Sequence, residues 1–288
     1  MPERLPVYAA PADDPESDAN LVINAPAVTV WLTAFLRDQI VIHRGFQRAI
    51  VGISGGVDSA LTAFLCVRAL GPQNVIGVRM PYRTSSPESL EHADIAIREL
   101  GIQSVTVDIS AMVDAYLASV PEASDRRRGN VMARCRMIVL FDLSERYGAL
   151  PVGTGNKTER LFGYFTWHAD DSPPVNPLGD LYKTQVWALA RHVGVPEAIV
   201  TKPATADLIE GQTDEGDFGI SYRRADRILV YLLRGYGTER LVRIGFPEAE
   251  VLLVREKLDR THWKRHMPTT AMLTTTSIND YYLRPVDY

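Results

Sequence analysis

The sequence predicts an α/β fold: a doubly wound, mostly parallel sheet flanked by helices, with a helical C-terminal part. Two observations carry that expectation. Up to about Gly153, short apolar runs alternate with stretches of helical length, and the first run ends in a glycine-rich turn that opens a helix. Beyond Gly155 the periodicity becomes mainly helical.

Residues 1–24 read as an exposed lead-in, acidic and Pro-rich over 11–20, and residues 25–288 as a single domain. Val28, Trp31, Leu32 and Phe35 recur near helical spacing and predict a first helix over 27–45. Residues 49–53, Ala-Ile-Val-Gly-Ile, have the continuous apolar character of a parallel strand buried on both faces. Val57, Leu61, Phe64 and Leu65 then fall on one face of a helix. Further strands are expected over 75–80 and 104–109, with a helix over 87–100 between them. A long helix over 129–147 places Val131, Cys135, Ile138 and Val139 on one face. A strand running up to Gly153 follows, although Pro151 works against it. Helices are expected over 181–193, 222–234 and 248–258. The loops 170–174 and 211–216 are polar and rich in breakers, as loops that cover active sites often are.

Composition narrows the function classes. A formal charge of −4 argues against nucleic acid as the main partner, because such sites need a basic face. No run is read as reaching the roughly 20 apolar residues that span a bilayer, so no membrane role is expected. The N-terminus lacks a signal-peptide apolar region, and the expected compartment is the cytoplasm. Two cysteines suggest neither a disulfide framework nor a metal cluster, and Cys66 and Cys135 read as small buried hydrophobes. His43, His92 and His192 show no ligand spacing.

The sharpest feature is the octet Gly52, Ile53, Ser54, Gly55, Gly56, Val57, Asp58 and Ser59. Ligands in open α/β sheets bind at the carboxyl ends of strands, which is where this loop falls. Gly55 and Gly56 let backbone N–H groups approach an anion, and the helix N-terminus behind them favours phosphate. Ser54 and Ser59 add hydroxyls, and Asp58 is placed to hold Mg²⁺ against the phosphates. Asp58 stands where a Walker A loop would have its lysine, and the glycine spacing of a dinucleotide fingerprint is absent.

This octet resembles the signature of the ATP pyrophosphatase, or PP-loop, enzymes, whose fold is adenine nucleotide α-hydrolase-like. They cleave ATP between the α and β phosphates and leave AMP on a carboxylate or other oxygen. Four downstream blocks, in order, resemble the NAD synthetase family: Gly129-Asn130-Val131-Met132-Ala133-Arg134, Gly153-Thr154-Gly155-Asn156-Lys157-Thr158-Glu159, Asn176-Pro177-Leu178-Gly179-Asp180-Leu181-Tyr182-Lys183-Thr184, and Pro203-Ala204-Thr205-Ala206-Asp207-Leu208 followed by Gly211-Gln212-Thr213-Asp214-Glu215. The resemblance spans about residues 28–268. It implies that the octet, Thr154, Lys183 and Thr205 contact ATP, that Asp58 and Glu159 hold Mg²⁺, and that Asp58 and Lys183 are catalytic. It also implies that Arg134, with Lys264 from the late block Thr261-His262-Trp263-Lys264, contacts deamido-NAD. The physical roles agree: carboxylates are hard ligands for Mg²⁺, and a lysine can neutralise the leaving pyrophosphate.

Two positions depart from the pattern. Trp167 stands where many family members have a deamido-NAD-contacting lysine, and Pro174 replaces a common aspartate, with Asp170 and Asp171 near. Trp167 is left between two readings, ring stacking and core packing. The implied reaction is adenylation of the nicotinate carboxylate of deamido-NAD followed by attack of ammonia. The stretch before the first strand is too short for a glutaminase domain, so free or separately delivered ammonia is expected. The resemblance further implies a homodimer. Two rivals stand beside this reading: amidation of another carboxylic acid on the same scaffold, and a non-catalytic nucleotide-binding module.

Overall fold

The computed structural model describes residues 14–205, 211–266 and 269–274. Four parallel strands, β1 (Arg48–Gly52), β2 (Val75–Arg79), β3 (Gln103–Thr106) and β4 (Ala149–Pro151), form a sheet in the order β3-β2-β1-β4. Helix α1 (Ala25–Arg37) precedes the sheet. Helices α2 (Val57–Leu70), α3 (Pro87–Leu100), α4 (Ser110–Leu117) and α5 (Asp125–Tyr147) lie between its strands. After β4 come α6 (Lys157–Phe162), α7 (Lys183–Val193), α8 (Glu197–Val200), α9 (Asp214–Phe218), α10 (Tyr222–Leu232), α11 (Thr238–Ile244) and α12 (Glu248–Arg260).

The alternation of side chains along β1 explains its unbroken apolar run. Ala49, Val51 and Ile53 enter a core shared with α1, α2 and α7, whereas Ile50 joins Ile76, Val78 and the apolar faces of α4 and α5. Both faces of the strand are therefore buried, as in doubly wound sheets. A third core, around Phe162, Phe218, Tyr222 and Leu229, holds the C-terminal helices together. The chain builds outward from β1 to β3, then crosses back through α5 to place β4 on the other side of β1. Strand order reverses between β1 and β4, and a crevice opens there at the strands' carboxyl ends. Residues 52–59 and 153–159 both leave the sheet at that crevice.

Several boundaries differ from the sequence expectation. The first helix begins earlier, where Asn24 caps it by accepting the Ala27 N–H at 3.1 Å and Pro26 occupies its first turn. It continues into a π-helical turn, Asp38–Ile42. Helix α4, unassigned from sequence, is too short for a clear period, yet it buries Val113 and Leu117. Pro151 is tolerated because β4 is an edge strand. The breaker-rich stretch after Gly211 is partly helical, because Thr213 accepts the Gly216 N–H and starts α9. The stretch Ala19–Ile42 meets the length and apolarity of a membrane span, which the sequence reading had not found. Its Leu36 and Ile40 are fully buried in the main core, whereas Val22, Val30, Trp31 and Ile42 are exposed, so it packs on the core along one face only. Leu21, within the expected exposed lead-in, is buried against the C-terminal core. Its neighbours Glu16 and Asp18 form ion pairs with Arg223, Arg224 and Arg227 of α10.

Candidate active site

The loop 52–59 is shaped by close packing. Gly55 has φ +82°, and a Cβ there would lie 2.0 Å from the Ser89 carbonyl oxygen in the first turn of α3. Only glycine allows that approach. The Ser59 hydroxyl donates to the Gly56 carbonyl at 3.0 Å and accepts the Ser54 N–H at 3.2 Å, while Ser54 Oγ lies 3.1 Å from Ser59 Oγ and accepts the Gly56 N–H at 3.3 Å. The two hydroxyls, read from sequence as phosphate donors, brace the loop. The groups of this loop best suited to an anion are then the orphan N–H groups in the first turn of α2.

Asp58, in that turn, meets two residues distant in sequence. Its Oδ1 accepts a hydrogen bond from Asn156 Nδ2 at 3.0 Å, and its Oδ2 forms an ion pair with Lys183 Nζ. Glu159 Oε1 lies 3.5 Å from the same Nζ. Glu159 also closes a capping box on α6: its Oε2 accepts the Asn156 N–H at 3.2 Å, and Asn156 Oδ1 accepts the Glu159 N–H at 3.0 Å. One carboxylate thus caps its own helix with one oxygen and faces the lysine with the other. Lys183 is only 2% exposed, and its Nζ sits 5.1 Å from the Tyr222 ring centroid.

A third acid completes the cluster. Asp214 Oδ2 accepts the Tyr222 hydroxyl at 2.7 Å, and that hydroxyl lies 3.4 Å from Glu159 Oε1. Burial, reinforced by the charges of Asp58 and Asp214, pushes the Glu159 carboxyl up to about 8 against the pull of Lys183. Burial also raises Asp214. For Lys183 burial works against the charge, but Asp58, Glu159 and Asp214 outweigh it and hold the ammonium above the ordinary lysine range. One lysine therefore carries the positive charge for three acids, an arrangement that would welcome a second cation.

The cleft beside this cluster is lined by Gly52, Ile53, Ser54 and Thr154 together with Arg79 and Arg136. Thr205 is half-buried just after α8, and residues 206–210 of its block lie outside the described residues. Arg134 and Lys264 form a separate group. Arg134 donates to the Trp167 carbonyl at 3.0 Å, and Lys264 donates to the carbonyls of Gly163 and Phe165. Both predicted acceptor contacts hold the loop 163–167. Burial lowers the Lys264 ammonium from its usual range, with Asp170 and Asp171 opposing. Trp167 packs edge-on against Trp263 at 5.2 Å between ring centroids.

Sequence reasoning gave no individual role to Asn156, Asp214, Tyr222 or Asp226. Asn156 was legible as the first residue of an Asn-x-x-Glu capping pattern. Asp214 lies in the family-matched stretch after Gly211, whereas Tyr222 and Asp226 carry no local signal, because their partners come from other elements.

Comparison with known proteins identifies the family. The NAD synthase family model matches residues 28–268. The NH3-dependent NAD(+) synthetase of Chlorobium phaeovibrioides is 47% identical over 92% of this chain and 96% of its own length. That of Fusobacterium nucleatum is 43% identical over 88% and 98%. Among solved structures, the NH3-dependent NAD synthetase of Campylobacter jejuni matches with TM-score 0.75 and 30% identity, covering 87% of this chain and 100% of the other. The NMN synthetase of Francisella tularensis matches with TM-score 0.77 and 27% identity, covering 87% and 99%. A loop at the switch point, an acid–lysine cluster below it and likeness along nearly the whole chain agree: the chain belongs to the NAD synthase family and is an ATP-dependent ligase.

Proposed function

We propose that the chain is an ammonia-dependent NAD(+) synthetase that forms NAD, AMP and pyrophosphate from deamido-NAD, ATP and ammonia. The observation that carries the catalytic reading is the buried Lys183 ammonium held between Asp58 and Glu159 beneath the loop 52–59. A nucleotide-binding module without chemistry would have little use for a desolvated cation at that point.

In the first step an oxygen of the nicotinate carboxylate attacks the α-phosphorus of ATP. The bond from that phosphorus to the bridging oxygen breaks, and pyrophosphate leaves. The N–H groups of the α2 N-terminus and Lys183 take up the charge on the leaving group. Asp58 fixes where the ammonium sits. In the second step ammonia attacks the activated carbonyl, a proton is lost, and AMP departs. Activation is needed because a free carboxylate is a poor electrophile with a poor leaving group.

Magnesium fits the donor set. Asp58 and Glu159 are hard oxygen ligands that already converge on one positive charge, and Mg²⁺ is commonly held by one or two carboxylates plus substrate phosphates. When bound, it would neutralise phosphate charge.

Arg134 and Lys264 are proposed to meet the acceptor by exchanging their loop carbonyls for its anionic groups. Trp167 favours a second reading, amidation of a different pyridine carboxylate, because this residue, packed edge-on against Trp263, stands where the family pattern has a lysine contact. The family likeness further supports a homodimer working in the cytoplasm, and sedimentation measurements on the purified protein check the dimer. The reaction itself is tested by following AMP, pyrophosphate and NAD with ATP, ammonium and either deamido-NAD or its mononucleotide counterpart. Formation of all three products with deamido-NAD supports the reading. Turnover confined to the mononucleotide favours the second reading, and no AMP with either sinks both.

A further inference from the structure

Asp226 lies on α10, is fully buried, and has no part in the chemistry above. Its carboxylate takes three hydrogen bonds. Oδ1 accepts the Thr158 hydroxyl at 2.6 Å, and Oδ2 accepts the Thr184 N–H at 2.9 Å and the Thr184 hydroxyl at 2.8 Å. Thr158 Oγ1 in turn accepts the Lys183 N–H at 3.1 Å. Thr158 immediately precedes Glu159 and Thr184 immediately follows Lys183, so one carboxylate ties together the first turns of α6 and α7. Those turns carry Glu159 and Lys183, the acid and the ammonium that face each other in the site. One turn earlier on α10, Tyr222 reaches Asp214 and Glu159. On its outer side the same helix is held by the Glu16 and Asp18 ion pairs with Arg227. A carboxylate is the group this place demands, since it only accepts and three donors converge on it. Asparagine would turn an N–H against one of them.

We infer that Asp226 is the positioning residue of the active site, setting the separation of Lys183 and Glu159 by binding the backbone and hydroxyl groups beside them. It touches no substrate and acts through Thr158 and Thr184. The catalytic part of this inference rests on the proposed role of Lys183, whereas the structural part stands apart from it.

The test compares wild type, Asp226→Asn and Thr184→Val as full-length protein. Thr184→Val removes one donor and keeps the shape of the side chain, so it decides the matter if Asp226→Asn does not fold. Two readouts are taken: kcat and KM for ATP with deamido-NAD and ammonium, and amide hydrogen exchange at residues 157–160 and 182–186. For Asp226→Asn, kcat is expected to fall about 10- to 100-fold, the loss typical of a misplaced reacting group. KM for ATP should stay within about twofold, as when an interaction made only in the transition state is lost. Thr184→Val should lose several-fold in kcat. Exchange should quicken at those two turns and nowhere else. Folded variants with wild-type kcat and wild-type exchange would overturn the inference, and so would exchange that quickens throughout the protein with kcat and KM changed together. If wild type shows no turnover, the functional reading fails, and the exchange pattern alone decides the positioning role.

Discussion

Replacing Lys183 by Met keeps the length of the side chain and leaves Asp58, Glu159 and Asp214 facing one another without their cation. Pyrophosphate release is expected to slow by about 10²–10³-fold, the usual loss when one preorganised charge-stabilising group is removed. A stopped assay of AMP release checks it, and activity within about twofold of wild type would remove Lys183 from the chemistry. Glu159 adds a pH signature. Its carboxyl is pushed up to about 8 from an unfolded value of 4.5, so the folded state keeps a proton that the unfolded chain gives up. Its contribution is complete below pH 4.5 and is lost as pH rises towards about 8. The Tm of the metal-free protein should therefore fall across that window, and Mg²⁺ with ATP should restore it by holding the carboxylate ionised. A Tm that rises steadily from pH 5 to 8 without metal would contradict the charge balance described for the cluster. At this scale Asp58, Glu159 and Lys183 were legible because each sits in a compact linear block. Asp214, Tyr222 and Asp226 were not, because their roles come from packing across the fold: Asp226 meets Thr158 over 68 positions of chain.

Among the elements, α6 and the loop 52–59 make the sharpest predictions. Asn156→Ala removes the cap of α6 and the amide that holds Asp58, and should cost about 1 kcal/mol for the cap alone. Urea unfolding measures that cost, and activity should fall further than stability does because Asp58 is freed as well. Gly55→Ala forces a Cβ against the Ser89 carbonyl from a left-handed backbone, so the loop must move away from α3. ATP affinity should drop at least about tenfold, as expected when an ordered anion cradle is displaced; titration calorimetry that finds it unchanged would show that the cradle does not bind phosphate. The elements themselves were legible where burial on both faces or a full helical period marks them, as in β1 and α3. They were hidden where they are short and held by caps or neighbours, as in α4, α6 and α9. Residues 14–24 look unstructured in composition, and only the arginine-bearing face of α10 and the core around Leu21 give them a place.

For the whole molecule, the strand order places two loops from opposite halves of the sheet in one crevice, while the C-terminal helices deliver Lys183, Asp214 and Tyr222 beneath it. On the proposed reading the helix N-termini handle phosphate, and Arg134 and Lys264, which here hold the loop 163–167, mark a separate acceptor side. In the proposed mechanism, transfer of the adenylyl group onto a carboxylate joins the two. Deamido-NAD labelled with ¹⁸O in its carboxylate follows that transfer directly when turned over with ATP and ammonium. One labelled oxygen should pass to the phosphate of AMP, with none in pyrophosphate. Label found in pyrophosphate or retained wholly outside AMP would contradict attack of the carboxylate on the α-phosphorus.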